Sequence, residues 1–273
     1  MTSVTLSLKV EGHQRINCKA LQPAALCALD ETKIAKLKVP VGRKQTPLAE
    51  LFDIAVDDGD SVLTISSASG QLDYLGAGMT EGRLIVNGNA GNYLGHGLAD
   101  GEIIVNGSAG HFAGSGQQNG LIHIKGNAGD YAGGAAPTEM QGLKGGTLMI
   151  TGTCGNYLGY KMRRGIIIAH DNVGEHCANN MIAGTVILGN KCGGSLGLGM
   201  RRGTVIFLEK TKLELPTFNL CGSFSLPILP VLRHHLHSIN HHAAMRLAKI
   251  QTVQRFCGDL GYDGQGEVLV ANG

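Results

Sequence analysis

Two short stretches concentrate the side chains best suited to chemistry: Lys161-Met162-Arg163-Arg164-Gly165 and Gly199-Met200-Arg201-Arg202-Gly203. Guanidinium forks match carboxylates and phosphates bidentately, so paired arginines of this kind point to an anion site or a salt-bridged interface. Four like charges gathered on one edge repel one another unless something offsets them. The competing reading is that each arginine is separately solvated or paired with an acid. Between the two stretches, Asn179-Asn180-Met181 adds amide donors but no acid. The candidate site is therefore Lys161, Arg163, Arg164, Arg201 and Arg202.

Other reactive residue types give weaker signals. The stretch Val231–Phe256 has helical apolar spacing and carries His234, His235, His237, His241 and His242. On one helix, His237 and His241 would form an i,i+4 pair able to hold a metal, with His234 on the same face. No HExxH is present and no acidic third ligand lies nearby, so a surface or interface cluster is the expected role. The seven cysteines form no CxxC, and a zinc or iron–sulfur spacing is missing. No nucleophile elbow, phosphate loop or paired-carboxylate motif stands out.

The elements that must position the arginines are set by a repeat. Gly82, Gly101, Gly120, Gly146, Gly165, Gly184 and Gly203 each open a short apolar run. Every step between them is 19 residues except Gly120 to Gly146, which is 26. A fixed period of this length marks a solenoid. The unit at 82–95, GRLIVNGNAGNYLG, reads as a short strand, a Gly/Asn turn and an aromatic position. The 38-residue offset of the two arginine pairs is two units, which puts Arg163 over Arg201 and Arg164 over Arg202. The expected fold is all-β: a right-handed parallel β-helix of seven to eight coils, its hand following from the crossover rule.

Columns follow from that stacking. Leu84, Ile103, Ile122, Leu148, Ile167, Val186 and Val205 should point inward, as should Val86, Val105, Ile124, Ile150, Ala169, Leu188 and Phe207. Ala90, Ala109, Ala128, Cys154, Val173 and Cys192 form a third column, of small residues, with Cys154 and Cys192 too far apart for a disulfide. Tyr74, Tyr93, Phe112, Tyr131 and Tyr157 form an aromatic one, fading to His176 and Ser195. Residues between the inward ladders are also apolar (Ile85, Ile104, Met149, Ile168, Ile187, Ile206, with His123 the exception) and should face outward. An apolar outer face needs cover, so the C-terminal tail or a partner should lie on it. The insertion, 134–145, should leave the coil as a side loop, either solvated or docking a partner.

The 273 residues carry a formal charge of +2, 43% hydrophobic residues, 42 glycines and only 4% aromatics. That balance gives no argument for nucleic acid, and no run is long enough to span a membrane. The polar N-terminus does not read as a signal peptide, so a cytoplasmic location is expected. Three regions are expected: an N-terminal cap over 1–60, the β-helix over 61–208, and a C-terminal tail over 209–273 with a helix packed on the solenoid.

The repeat resembles the GXGXG β-helix domain found at the end of the glutamate synthase large subunit and in the C subunit of formylmethanofuran dehydrogenase. The recurrent KMRRG and GMRRG, the lead-in GRKQTPLAELFDI at 42–54 and the ending CGDLGYDGQGEVLV at 257–270 resemble that C subunit in particular. The resemblance implies a non-catalytic scaffold in a multisubunit C1-transfer complex. Its partners would be hydrolase, formyltransferase and molybdopterin-subunit-like chains. The cofactor would be a methanofuran analogue with a polyglutamate tail, none being bound by this chain alone. The bacterial formyltransferase/hydrolase version, which produces formate from formyl-tetrahydromethanopterin, is favoured. A true molybdenum or tungsten dehydrogenase subunit, or a detached glutamate-synthase-type β-helix, is the alternative. The arginine edge would then suit an acidic cofactor tail or partner.

Overall fold

A computed structural model of the chain describes residues 2–9, 12, 14–239 and 241–272, without the side chain of His241. The fold is mostly β, with a few short helices. Its centre is a 13-stranded mixed sheet. From Val62–Ala68 through Arg83–Gly88, Glu102–Val105, Leu121–Ile124, Thr147–Ile150, Ile166–Ala169, Thr185–Leu188 and Arg202–Phe207, each strand pairs in parallel with the next. The register is the repeat itself: Leu84 faces Ile103, Ile103 faces Ile122, and Ile122 faces Leu148 across the insertion. Both inward columns are fully buried from end to end.

Two further lines of contact run along the same direction. Isolated parallel bridges join Ala109, Ala128, Cys154, Val173 and Cys192 in order. The aromatic column stacks: Tyr74 on Tyr93 at 4.7 Å between ring centroids, Tyr93 on Phe112 at 5.1 Å, Phe112 on Tyr131 at 5.0 Å, and Tyr131 on Tyr157 at 4.7 Å. His176 continues the stack on Tyr157 at 4.7 Å. Each of these residues sits at φ between 59° and 61°. Left-handed backbone costs roughly 1–2 kcal/mol for a residue with a Cβ. Each stacked pair returns about 0.5–1.5 kcal/mol beyond area burial, so strain and stacking nearly balance. Below the rings, Asp73 Oδ1 accepts from Asn92 N–H (2.7 Å) and Asn92 Oδ1 accepts from His111 N–H (2.9 Å), tying one unit to the next.

The glycine that opens each unit is required by the stacking. Gly120 has φ +75°, and a Cβ there would lie 2.4 Å from the Gly101 carbonyl oxygen. The insertion does not stand free in solvent. Ala135, Ala136 and Leu143 are buried, and Leu143 N–H donates to the Gly133 carbonyl at 2.8 Å. Only its crest is open, with Met140 80% exposed.

Both ends of the sheet recruit strands from outside the repeat. Thr2–Leu8 pairs in parallel with Val62–Ala68, placing Val4 and Leu6 on the inner ladder beside Leu63 and Ile65, and Phe52–Asp58 then pairs antiparallel with it. At the far end Gln265–Ala271 pairs in parallel with Arg202–Phe207, Val205 facing Val268. Val253–Gly258 and Asn219–Phe224 follow antiparallel.

The tail corrects one expectation. No single helix runs over 231–256: helices occupy Ile228–His237 and His241–Ala248, and Val253–Gly258 is a strand. Val253 meets its burial need in the sheet rather than on a helix face, so the helical apolar spacing misreads its last turns. The helices do cover the outer face over part of its length. Met149, Ile168, Ile187 and Ile206 are buried with Leu229, Leu236, Ala243, Ala244 and Leu247 in a second apolar cluster. Burying each large side chain stabilises by about 1.5–3 kcal/mol. Ile85, Ile104 and His123 lie outside this cover and stay half-buried. Among the described residues no helix is long and apolar enough to cross a membrane.

Candidate anion site on the arginine edge

Arg163 and Arg164 lie just before the strand Ile166–Ala169, and Arg201 and Arg202 straddle the start of the strand Arg202–Phe207. Their backbones are fixed by the stacking: Arg163 N–H donates to the Leu143 carbonyl and Arg201 N–H to the Met181 carbonyl, both at 2.8 Å. Met162, Met181 and Met200 precede them as a fully buried column that holds the edge down. The unit in between has Ile182-Ala183-Gly184 where its neighbours have Arg-Arg-Gly. Short residues between long ones leave a trough, and a cavity of about 670 Å³ lies there, lined by Arg163, Arg164, Arg201 and Arg202 with Ile182, Ala183, Gly184, Tyr262, Asp263 and Gln265.

All four arginines are exposed, and none has an ion-pair partner within 4 Å among the described residues. Arg202 Nε donates to Gln265 Oε1 at 3.0 Å. Asp263 is the one acid on the wall, so the cavity has a strong surplus of positive charge. Lys161 is not part of it: its ammonium lies 5.1 Å over the Tyr160 ring, an attraction that draws it away from the arginines. The amides of Asn179 and Asn180 are not on the wall either, since Asn180 Nδ2 donates to Asn179 Oδ1 at 2.6 Å.

A second cavity, about 760 Å³, adjoins the first through Arg164. It follows the opening glycines Gly82, Gly101, Gly120, Gly146 and Gly165, where the absence of side chains leaves a channel floor. At its far end Arg83 is paired with Glu102. Charge is thus satisfied at one end of the channel and unsatisfied at the other.

Tyr262, Asp263 and Gln265 were not legible as site residues. They are brought in by Asp259, which is buried and whose Oδ2 accepts from Gly199 N–H at 2.8 Å and Oδ1 from Gly261 N–H at 3.0 Å. Burial opposes ionisation of Asp259, but the Gly199 and Gly261 amides and the Thr217 hydroxyl outweigh it and hold the carboxyl below its usual value. The signal that could have placed this segment was present. Gly266-Glu267-Val268-Leu269-Val270 matches the repeat's opening run, displaced 63 residues from Gly203 instead of 19.

The histidines separate. Because the two helices are distinct, His237 and His241 do not share one, and the i,i+4 pair is not formed; the His241 side chain lies outside the described residues. His242 instead faces His170 of the repeat. Burial, then His242, Arg246 and His123, push the His170 imidazole down to about 4. Among the described residues no group of three or more His, Cys, Asp or Glu could hold a metal ion. The seven cysteines are free. Burial pushes the Cys154 thiol up to about 12. A hydrogen bond with the Cys192 thiol, reinforced by burial, raises the Cys177 thiol. Cys154 and Cys177 are inert packing thiols.

Comparison with known proteins identifies the family. No family model matches the chain. It is 40% identical over 87 residues to the C subunit of the formyltransferase/hydrolase complex Fhc of Methylorubrum extorquens, a segment covering 32% of each chain. Over 77 residues it is 33% identical to the C subunit of the molybdenum-containing formylmethanofuran dehydrogenase 1 of Methanothermobacter thermautotrophicus, 28% of this chain and 19% of the relative. These alignments span a third or less of the curated relatives. The fold likeness is wider: a chain in the crystal structure of the M. extorquens FhcABCD complex with methylofuran matches with TM-score 0.92 and 39% identity. That match covers 98% of this chain and 100% of the other, and on it the chain belongs to the family of the formyltransferase/hydrolase complex C subunit.

Proposed function

We propose that the chain is the scaffold subunit of a formyltransferase/hydrolase complex, and that its arginine cavity holds the polyanionic tail of a methanofuran-type cofactor. The observation that carries this reading is the cavity itself: Arg163, Arg164, Arg201 and Arg202 surround one trough with a single acid, Asp263, on its wall. Unpaired guanidiniums so placed favour a bound polycarboxylate. The solved relative is a complex with methylofuran, which supports a ligand of that class in this assembly. Hydrolase, formyltransferase and molybdopterin-subunit-like chains are the proposed partners, and the cytoplasm the proposed location.

As architecture, we read the repeat as a right-handed parallel β-helix over 61–208, with a cap at 1–60 and a tail at 209–273. The in-register strands, the separate line of bridges and the aromatic stack support one coil per 19 residues. No catalytic role is assigned to this subunit; the chemistry would belong to its partners.

Reversing Arg164 and Arg202 together to Glu should weaken formyl turnover by the assembled complex at least tenfold at low salt, with the deficit narrowing as salt screens the charges. Wild-type activity and an intact complex in the double variant would overturn the proposal. A second reading, a subunit of a true formylmethanofuran dehydrogenase, is favoured by the 33% identity to the archaeal relative. Molybdenum or tungsten in the purified native complex would select it; formate release without either metal would select the hydrolase.

A further inference from the structure

Where the tail meets the repeat, His242 on the helix His241–Ala248 faces His170, with Nδ1 to Nδ1 at 3.4 Å and ring centroids 5.2 Å apart. That spacing lies at the long end for an N–H···N hydrogen bond between two imidazoles. It matches another geometry. Two imidazole nitrogens, each about 2.05 Å from a tetrahedral zinc, stand about 3.35 Å apart. The pair also opens onto a cavity of about 530 Å³ shared with His123, Met149, Thr151 and Ile239, which leaves room for solvent in the remaining positions of a four-coordinate ion.

We propose that His170 and His242 form a two-histidine site for a borderline divalent cation of the zinc class, which clasps the C-terminal helix to the repeat. The ligands come from separate elements, 72 residues apart in sequence, so a bound ion joins the tail to the sheet. The positive charge of Arg246, one turn further along the helix, is countered by Glu209 at 2.8 Å. His123 does not complete the set: its Nε2 is 3.2 Å from the Thr151 hydroxyl. With two protein ligands the site should be of moderate affinity and fill only at micromolar metal or above, water taking the other positions.

The test is calorimetric titration of the chelator-treated full-length chain with Zn²⁺, alongside thermal melts with and without the metal. One ion should bind per chain with a micromolar Kd and raise the melting temperature by roughly 5 °C at saturation. His170→Ala and His242→Ala should each weaken binding at least tenfold and remove the shift. His237→Ala, on the neighbouring helix, should retain both. The metal-free melts of the variants separate loss of ligand from loss of fold. Absence of saturable binding below about 100 µM Zn²⁺ overturns the site, as does binding that the His170 and His242 variants leave unchanged but the His237 variant removes.

Discussion

The repeat between Gly82 and Phe207 and the tail that follows it bury similar residues by different means. In the repeat, one unit lies over the next in a register set by glycine, so Leu84, Ile103 and Ile122 are buried by their own successors. In the tail, Leu229, Leu236 and Ala243 are buried only because they settle on Met149, Ile168, Ile187 and Ile206. The first region is stabilised by neighbours in sequence. The second depends on one long-range docking event. The arginine cavity forms where the two meet, with guanidiniums from the repeat and Tyr262, Asp263 and Gln265 from the tail.

The largest effects should come from charging the two apolar columns. Ile122→Asp places an unpaired carboxylate in the inner ladder and should prevent folding, read as loss of soluble protein. Ile187→Asp faces the tail helices instead. It should leave the β signal in far-UV circular dichroism largely intact while exposing 228–250 to limited proteolysis. Equal loss of fold in both variants would erase the distinction between the regions. The milder Ile122→Ala should still cost about 2–5 kcal/mol in denaturant unfolding.

Next in size is the anchor that brings the tail to the cavity. Asp259→Asn leaves the Gly199 and Gly261 amides without their charged acceptor and should destabilise the tail by about 1–3 kcal/mol. Because the folded-state carboxyl is held below its unfolded value, its contribution is present above that unfolded value and is lost as pH falls through the folded one. The difference between wild type and Asp259→Asn should therefore be constant from about pH 5 to 8 and shrink below about pH 4. A difference that instead grew on acidification would refute the assignment.

The aromatic stack should show a comparable loss when a ring is removed and the smallest effect when only its hydroxyl is. Tyr93→Ala should cost about 1–3 kcal/mol, since two stacked faces are lost while the positive φ remains. Tyr93→Phe should stay within about 0.5 kcal/mol. A large loss in the second variant would mean that the hydroxyl, rather than the ring, holds the column.

Legibility in the sequence follows the same division. The inward columns, the outward apolar face and the vertical Tyr74–Tyr93–Phe112 line were readable because each residue's neighbour is one period away. The tail's helix ends were not, because Val253 satisfies its burial in a strand and its pairing partner, Ala271, is set by tertiary contact. Arginine positions followed from the period, yet Lys161 left the site for a ring that the period does not encode. Asp263 and Gln265 entered it through the buried Asp259 contact, which spans 60 residues.

The central claim is that the arginine trough binds a polycarboxylate. It is tested most directly by measuring how an oligoglutamate binds the assembled complex depleted of its cofactor, across a range of salt. The account predicts saturable binding that weakens steadily with ionic strength and is lost in the Arg164→Glu, Arg202→Glu double variant. Binding of equal affinity in that variant, or affinity indifferent to salt, would contradict it.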